Sequence, residues 1–213
     1  VERFDRTYAR DGRLLRQPQE DCCQALSVSW TRKYETDGGP GIIDCLDLLG
    51  ASDEVTLDRQ AFMKAVIAFW LLGATDGHAK NFSVFLYPGG GFRLTPLYDV
   101  LSVQPVVDAR ALAHNRYRMA MAVGNRRHYR VDSILPRHFY QTGARGGLDE
   151  GTIRGLFAQL VADAPEAIRA TKASLPRWFP RGLANSIFGG FTSRLGLLER
   201  ELGGDAGAGD RDE

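Results

Sequence analysis

Apolar residues recur along most of the chain at helical spacing. From Leu57 to Gly73 the positions Leu57, Ala61, Phe62, Ala65, Val66, Phe69, Trp70 and Gly73 advance in steps of three, four and one, which predicts a helix with one wide apolar stripe. Ile153, Leu156, Phe157, Leu160, Val161 and Ala164 predict a second helix, kinked or ended by Pro165. Leu183, Ile187, Phe191, Leu195 and Leu198 predict a third at heptad-like spacing, and shorter helices are expected near Gln19 to Leu26, Gly41 to Leu49 and Asp132 to Thr142. One stretch breaks the period. Phe82 to Tyr87 and Phe92 to Pro96 are β-prone runs joined by Pro88-Gly89-Gly90-Gly91, the composition of a hairpin turn. The expected fold is therefore mainly α with a β-hairpin: one domain over residues 1–202 and a disordered Gly/Asp-rich tail over 203–213.

Composition narrows the class. Of 213 residues, 44% are apolar and 25% charged, the proportions of a packed domain and not of a disordered or fibrous chain. Apolar stretches such as Ala65 to Ala74 fall well short of the roughly 18–20 residues that span a bilayer. With no signal-peptide pattern either, a soluble, cytoplasmic protein without a membrane partner is expected. Cys22, Cys23 and Cys45 match neither a disulfide framework nor a CxxC metal spacing, and are expected to be reduced structural thiols. The net charge of +1 hides one basic segment, because Ala109 to Arg145 holds eight arginines against a single acid, Asp132. Its densest part, Asn125 to Arg130, is either a solvated loop or a surface for nucleic acid phosphates. The chain opens Val1-Glu2-Arg3 with no initiator Met, as expected of a part of something longer.

The candidate chemistry flanks the hairpin, whose two ends should bring Thr75 to Asn81 and Tyr98-Asp99 together. Asp76-Gly77-His78-Ala79-Lys80-Asn81 follows the long apolar helix directly and is expected to be a loop outside the core. Its Asp-x-x-x-x-Asn spacing is that of a protein-kinase catalytic loop, in which the aspartate accepts the proton of the substrate hydroxyl and the asparagine binds Mg²⁺. Asp99 follows 23 residues after Asp76, in the order of the kinase metal-binding aspartate. A hard cation takes oxygen ligands, so Asn81 and Asp99 can hold it while Asp76 stays free for the nucleophile. Lys80 can neutralise charge on the transferring group, and His78 can touch phosphate or orient the loop. The same residues also suit turns and caps, where Asp and Asn bond to nearby backbone.

Thr75 to Val84, together with Leu94-Thr95-Pro96-Leu97-Tyr98-Asp99-Val100, closely resembles the HipA family of bacterial serine/threonine kinase toxins. Val1 to Arg6, Arg16 to Asp21, Lys33-Tyr34-Glu35, Asp37 to Gly41 and Pro136 to Phe139 look like family segments in family order. The resemblance implies the mostly helical C-terminal lobe of a protein-kinase-like fold. It implies ATP and Mg²⁺ as cofactors, Asp76 as the catalytic residue, and Asn81 and Asp99 as metal ligands. His78, Lys80 and Tyr98 would line the nucleotide, while Glu2, Arg3 and Phe4 would form an interlobe hinge against adenine, with Asp5 beside it. Its implied partners are a HipB-like antitoxin and a protein substrate such as glutamyl-tRNA synthetase. DNA would be contacted through Arg126, Arg127 and His128.

The resemblance also implies that the phosphate-binding loop, a regulatory serine and the nucleotide-binding lysine belong to a part upstream of Val1. No GxxxxGK[ST] stands in this sequence, so the 213 residues by themselves are expected to be at best a very weak kinase. Two other functions fit parts of the pattern. A non-catalytic module binding antitoxin or DNA would need none of the missing half. A lipid or small-molecule kinase shares the Asp-x-His-x-x-Asn order.

Overall fold

The computed structural model describes residues 3–204. Two long apolar helices set the frame: α3, Val55–Leu72, and α6, Glu150–Ser174, which α7, Arg181–Gly204, packs against together. Of the stripe expected on α3, Phe62, Ala65, Val66, Phe69, Trp70 and Gly73 are buried while Leu57 and Ala61 are exposed, and Met63, Ile67 and Leu71, outside the expected stripe, are fully inside as well. Trp70 bridges layers, since its ring lies 5.3 Å from that of Phe139 while its Nε1 donates to the Val131 carbonyl at 3.0 Å. A buried indole N–H without such an acceptor would be costly, so this contact fixes which face of α3 turns inward.

Pro165 does not end its helix. α6 runs on to Ser174, with the proline on an exposed face and the inward stripe carried past it by Ala164 and Ile168. Tertiary packing offsets the one backbone hydrogen bond that proline removes. α7 extends through Gly204, so the first two residues assigned to the tail belong to this helix, and the rest of the tail lies outside the described residues.

The helix expected over Gln19 to Leu26 is only half formed. Gln19–Asp21 is a strand, and only Cys22–Ala25, α1, is helical, capped by Asp21 Oδ1 accepting from the Gln24 amide at 2.9 Å. Numbering strands in chain order, β1 is Arg6–Tyr8, β2 Leu14–Arg16 and β3 Gln19–Asp21, followed by β4 Ser83–Leu86 and β5 Phe92–Leu94. β1 and β2 form a hairpin that sequence periodicity does not reveal. β3 joins the expected β4–β5 hairpin as a third antiparallel strand, pairing Gln19 with Phe85 and Asp21 with Ser83. Between Asp132 and Thr142 a single 3₁₀ turn precedes α5, Pro136–Arg145, which starts where proline suits the first helical position.

α2 spans Ile42–Leu49 and α4 Gln104–Asp108. The basic segment is ordered too: β6, Arg118–Val123, and β7, His128–Arg130, form an antiparallel hairpin with a register shift. All three cysteines are free and buried, as expected of structural thiols. No helix among the described residues is long and apolar enough to cross a membrane.

Candidate active site

The loop that carries Asp76 leaves the C-terminal end of α3. Gly73 closes that helix in the left-handed region at φ +63°, with the Ala74 amide donating back to the Phe69 carbonyl at 2.8 Å. A side chain there would also collide with the Tyr117 hydroxyl, so both backbone and space require glycine. The chain then enters residues 74–81 and closes in a 3₁₀ turn over Ala79–Asn81. Contrary to expectation the segment is part of the core: Gly77, His78, Ala79 and Asn81 are buried, and only Asp76 is exposed. Partners inside and outside the segment pair most of its polar groups, Asn81 with the Asp76 carbonyl, Asp76 with Tyr34 and Lys80 with Asp21, which is why so polar a run can be interior, although His78 Nδ1 is left without a hydrogen-bond partner among the described residues.

Asp76 is 53% exposed at its side chain and accepts from the Tyr34 hydroxyl through Oδ1 at 2.8 Å. Its other oxygen lies 3.8 Å from His78 Nε2. Burial pushes the His78 imidazole below its ordinary pKa, with the charges of Asp76 and Asp99 acting against that shift. His78 is therefore a neutral ring at physiological pH. The Asn81 amide nitrogen donates to the Asp76 carbonyl at 2.7 Å, which turns its oxygen away from that carbonyl. The loop thus braces itself from Asp76 to Asn81.

The hairpin brings the second acid to this loop. Tyr98 donates to the Lys80 carbonyl at 2.7 Å and shares a 2.5 Å hydrogen bond with Ser83, so the residue before Asp99 is bolted to the residue before Asn81. Burial raises the Tyr98 phenol above its ordinary pKa and keeps it a donor. Asp99 is exposed and adopts φ +55°, a left-handed conformation unusual for a residue with a side chain.

Beside it opens a cleft of about 540 Å³ lined by Arg3, Phe4, Asp21, Ser83, Tyr98 and Asp99 among others. Phe4 leans on Tyr98 and Phe85, with ring centroids 6.0 and 5.8 Å apart. Arg3 and Arg6 clasp Asp5, which is buried beneath them. Four of the residues expected from sequence, Arg3, Phe4, Tyr98 and Asp99, therefore meet at one cleft. Asp76, His78, Lys80 and Asn81 are not in its lining: Lys80 is paired with Asp21 at 2.7 Å, and His78 packs edge-on against Tyr34, centroids 5.1 Å apart. Glu2 lies outside the described residues. Tyr34 was not foreseen as a site residue; it stands 42 positions from its partner, beyond the reach of any local spacing.

The donor set suits a hard cation. Asn81 and Asp99 offer an amide and a carboxylate oxygen, and no group of three or more His, Cys, Asp or Glu side chains is gathered for a metal among the described residues. An ion held by these two would complete its shell from phosphate and water, as Mg²⁺ does beside nucleotides. The basic hairpin does not line this cleft. On that hairpin Arg127 pairs with Glu35 at 3.2 Å, and His128 stacks on His138 with centroids 3.9 Å apart.

A helical lobe with this loop, hairpin and second acid has the fold of the kinase-like proteins. The chain covers 95% of itself on a structure of the Shewanella oneidensis MR-1 toxin–antitoxin system HipA, HipB and operator DNA complex, with TM-score 0.78, 26% identity and 48% of that chain covered. The Helicobacter pylori proinflammatory kinase CtkA shares the fold at TM-score 0.52 and 11% identity, over 89% of this chain and 72% of that one. In sequence, 127 residues are 40% identical to the Sinorhizobium fredii protein named "Putative kinase Y4mE", covering 59% of this chain and 29% of that protein. A further 124-residue match, 33% identical, covers 51% of this chain and 28% of the serine/threonine-protein kinase toxin HipA of S. oneidensis. Residues 1–168 match the HipA-like C-terminal domain, and the chain belongs to that family. The matched regions are under a third of these two curated relatives' length.

Proposed function

We propose that this chain is the C-terminal lobe of a HipA-like serine/threonine kinase that transfers the ATP γ-phosphate to a protein hydroxyl. The observation carrying the proposal is the Asp76 carboxylate, exposed on a loop braced by the Asn81 amide on the Asp76 carbonyl, with Tyr98, the residue before Asp99, hydrogen-bonded to the Lys80 carbonyl of the same loop. In this reading Asp76 accepts the acceptor's proton, Asn81 and Asp99 hold Mg²⁺ when it is bound, and Phe4 and Tyr98 wall the nucleotide cleft. Phosphoryl transfer relies on positioning and charge stabilisation, and this lobe supplies only part of each. We expect phosphorylation by these residues alone to be very weak.

The test uses the complete gene product that contains the chain. Asp76→Ala should abolish phosphate transfer from labelled ATP while leaving the unfolding midpoint nearly unchanged, because the side chain is half exposed. Transfer persisting in that variant sinks the assignment.

The basic hairpin supports a second role. Arg126 is exposed, and Arg118, Arg127 and Arg130 line a shallow concavity with Tyr129. We propose contact with a HipB-like antitoxin and with DNA on this side, the HipA neighbour having been solved with both. Arg126→Ala should weaken DNA binding and flatten its salt dependence in the antitoxin complex, with no effect on phosphate transfer.

A further inference from the structure

Tyr34 reaches Asp76 from a turn that is itself anchored. Its carbonyl accepts from the Asp37 and Gly39 amides at 3.0 and 2.9 Å. Gly39 lies so close to the Arg32 and Tyr34 carbonyls that no side chain fits. The next residue, Glu35, is fastened across the molecule: one carboxylate oxygen accepts from the Ala122 amide of β6 at 2.6 Å, and the other forms an ion pair with Arg127 at 3.2 Å. The phenol ring is held edge-on against buried His78. The hydroxyl therefore meets Asp76 from a rigid mount, at a distance suited to a hydrogen bond to a charged acceptor.

We infer that Tyr34 is a positioning residue of the phosphotransfer site: its hydroxyl pins Oδ1 of Asp76, fixing the carboxylate so that its remaining lone pairs face an incoming acceptor hydroxyl. The inference rests on the reading of Asp76 as catalytic base. Asp76 is otherwise half exposed and free to rotate, and a base must sit within hydrogen-bond reach of the proton it takes. The hydrogen bond to Asp76, aided by burial, pushes the Tyr34 phenol up to about 12. The hydroxyl accordingly stays a donor at physiological pH and does not become a phenolate competing for phosphate.

Tyr34→Phe removes the hydroxyl and keeps the ring against His78. In the complete gene product it should lower kcat roughly ten- to a hundredfold, the worth of a hydrogen bond to a charged group, with KM for ATP within about twofold. Tyr34→Phe with full kcat overturns the inference, since a purely structural tyrosine needs only its ring. So does phosphate found on Tyr34 by mass spectrometry, which would make it an acceptor. A readout independent of activity uses this chain labelled with [¹³Cζ]tyrosine. The resonance missing in Tyr34→Phe should remain un-ionised at pH 11 in the folded protein, and should ionise by that pH in Asp76→Asn. Ionisation near pH 10 without the Asp76 substitution also overturns it. Full activity in Asp76→Asn would instead remove the kinase reading, while the resonance still reports the contact.

Discussion

Lys80 Nζ donates to Asp21 Oδ2 at 2.7 Å, joining two residues 59 positions apart. Asp21 uses its other oxygen to cap α1, so one carboxylate ties the Asp76–Asn81 segment to the β3–α1 junction that borders the cleft. Lys80 is one-third exposed and Asp21 nearly buried, a setting in which an ion pair keeps part of its attraction. Asp21→Asn retains a capping side chain and removes only the charge. A double-mutant cycle with Lys80→Met, read by urea unfolding, should give a coupling of about 1 kcal/mol. Strict additivity would show the pair to be ornamental.

Asp99 trades stability for position. Its backbone at φ +55° costs a residue with a side chain about 1–2 kcal/mol relative to glycine. Asp99→Gly should therefore unfold at higher urea, by about 1 kcal/mol, while weakening Mn²⁺ or Mg²⁺ binding. Asp99→Asn tolerates the same backbone and separates the effects, with stability close to the original and ion affinity still reduced. The midpoint comes from urea titration and the affinity from Mn²⁺ electron paramagnetic resonance. If Asp99→Gly bound the ion as well as the original, Asp99 would have no place in the metal site.

Asp5 ties stability to acid pH. Arg3 hydrogen bonds, together with the Arg3 and Arg6 charges and against the opposing effect of burial, hold its carboxyl down at about 2 in place of the usual 3.8. A depressed carboxylate pKa means that the unfolded chain binds its proton first as pH falls. The stabilisation is therefore complete above about pH 4 and disappears on descending to about pH 2. Asp5→Asn should lower the unfolding midpoint at pH 7 and leave it unchanged near pH 2. An equal loss at both pH values would mean that Asp5 acts through packing and not through charge.

How much of this was legible follows from how far each signal reaches along the chain. α3 was expected over Leu57 to Gly73 and lies at Val55–Leu72, because eight apolar positions repeat within one element. The β4–β5 hairpin declared itself through its proline and glycine turn. β6 did not, since Met119, Ala120 and Met121 are buried in succession and no alternation of period two survives. β1, β2 and β3 are three residues each, too short for any period to show. At the site, Asp76 and Asn81 are five residues apart and their loop could be read locally. The burial of that loop could not, because the partners that make it tolerable, Tyr34 and Tyr98, arrive from elsewhere in the chain.

Arg194 on α7 illustrates the same long reach and carries the last prediction. Its Nε donates to the Leu71 carbonyl and its Nη1 to Gln104 Oε1, each at 3.0 Å. Leu71 stands five residues before Asp76 and Gln104 five after Asp99, so one guanidinium joins the stems of both acid-bearing segments. Neighbouring bonds run in parallel: Ser102 donates to the Leu72 carbonyl at 2.6 Å, and the Val103 amide to that of Gly73 at 3.0 Å. Burial pushes the Arg194 pKa down from its ordinary value, a sign of how far it has left water. Arg194→Met would leave the Leu71 carbonyl without this donor in the interior, at a cost of about 2–3 kcal/mol. Arg194→Lys should recover less than half of it, because a single ammonium cannot reproduce the planar fork that serves two acceptors. Amide hydrogen exchange separates a local from a global effect: the Gly73 and Val103 amides should exchange faster in Arg194→Met by more than the loss in global stability accounts for. Uniform acceleration across the core would mean that Arg194 holds α7 in place and nothing more.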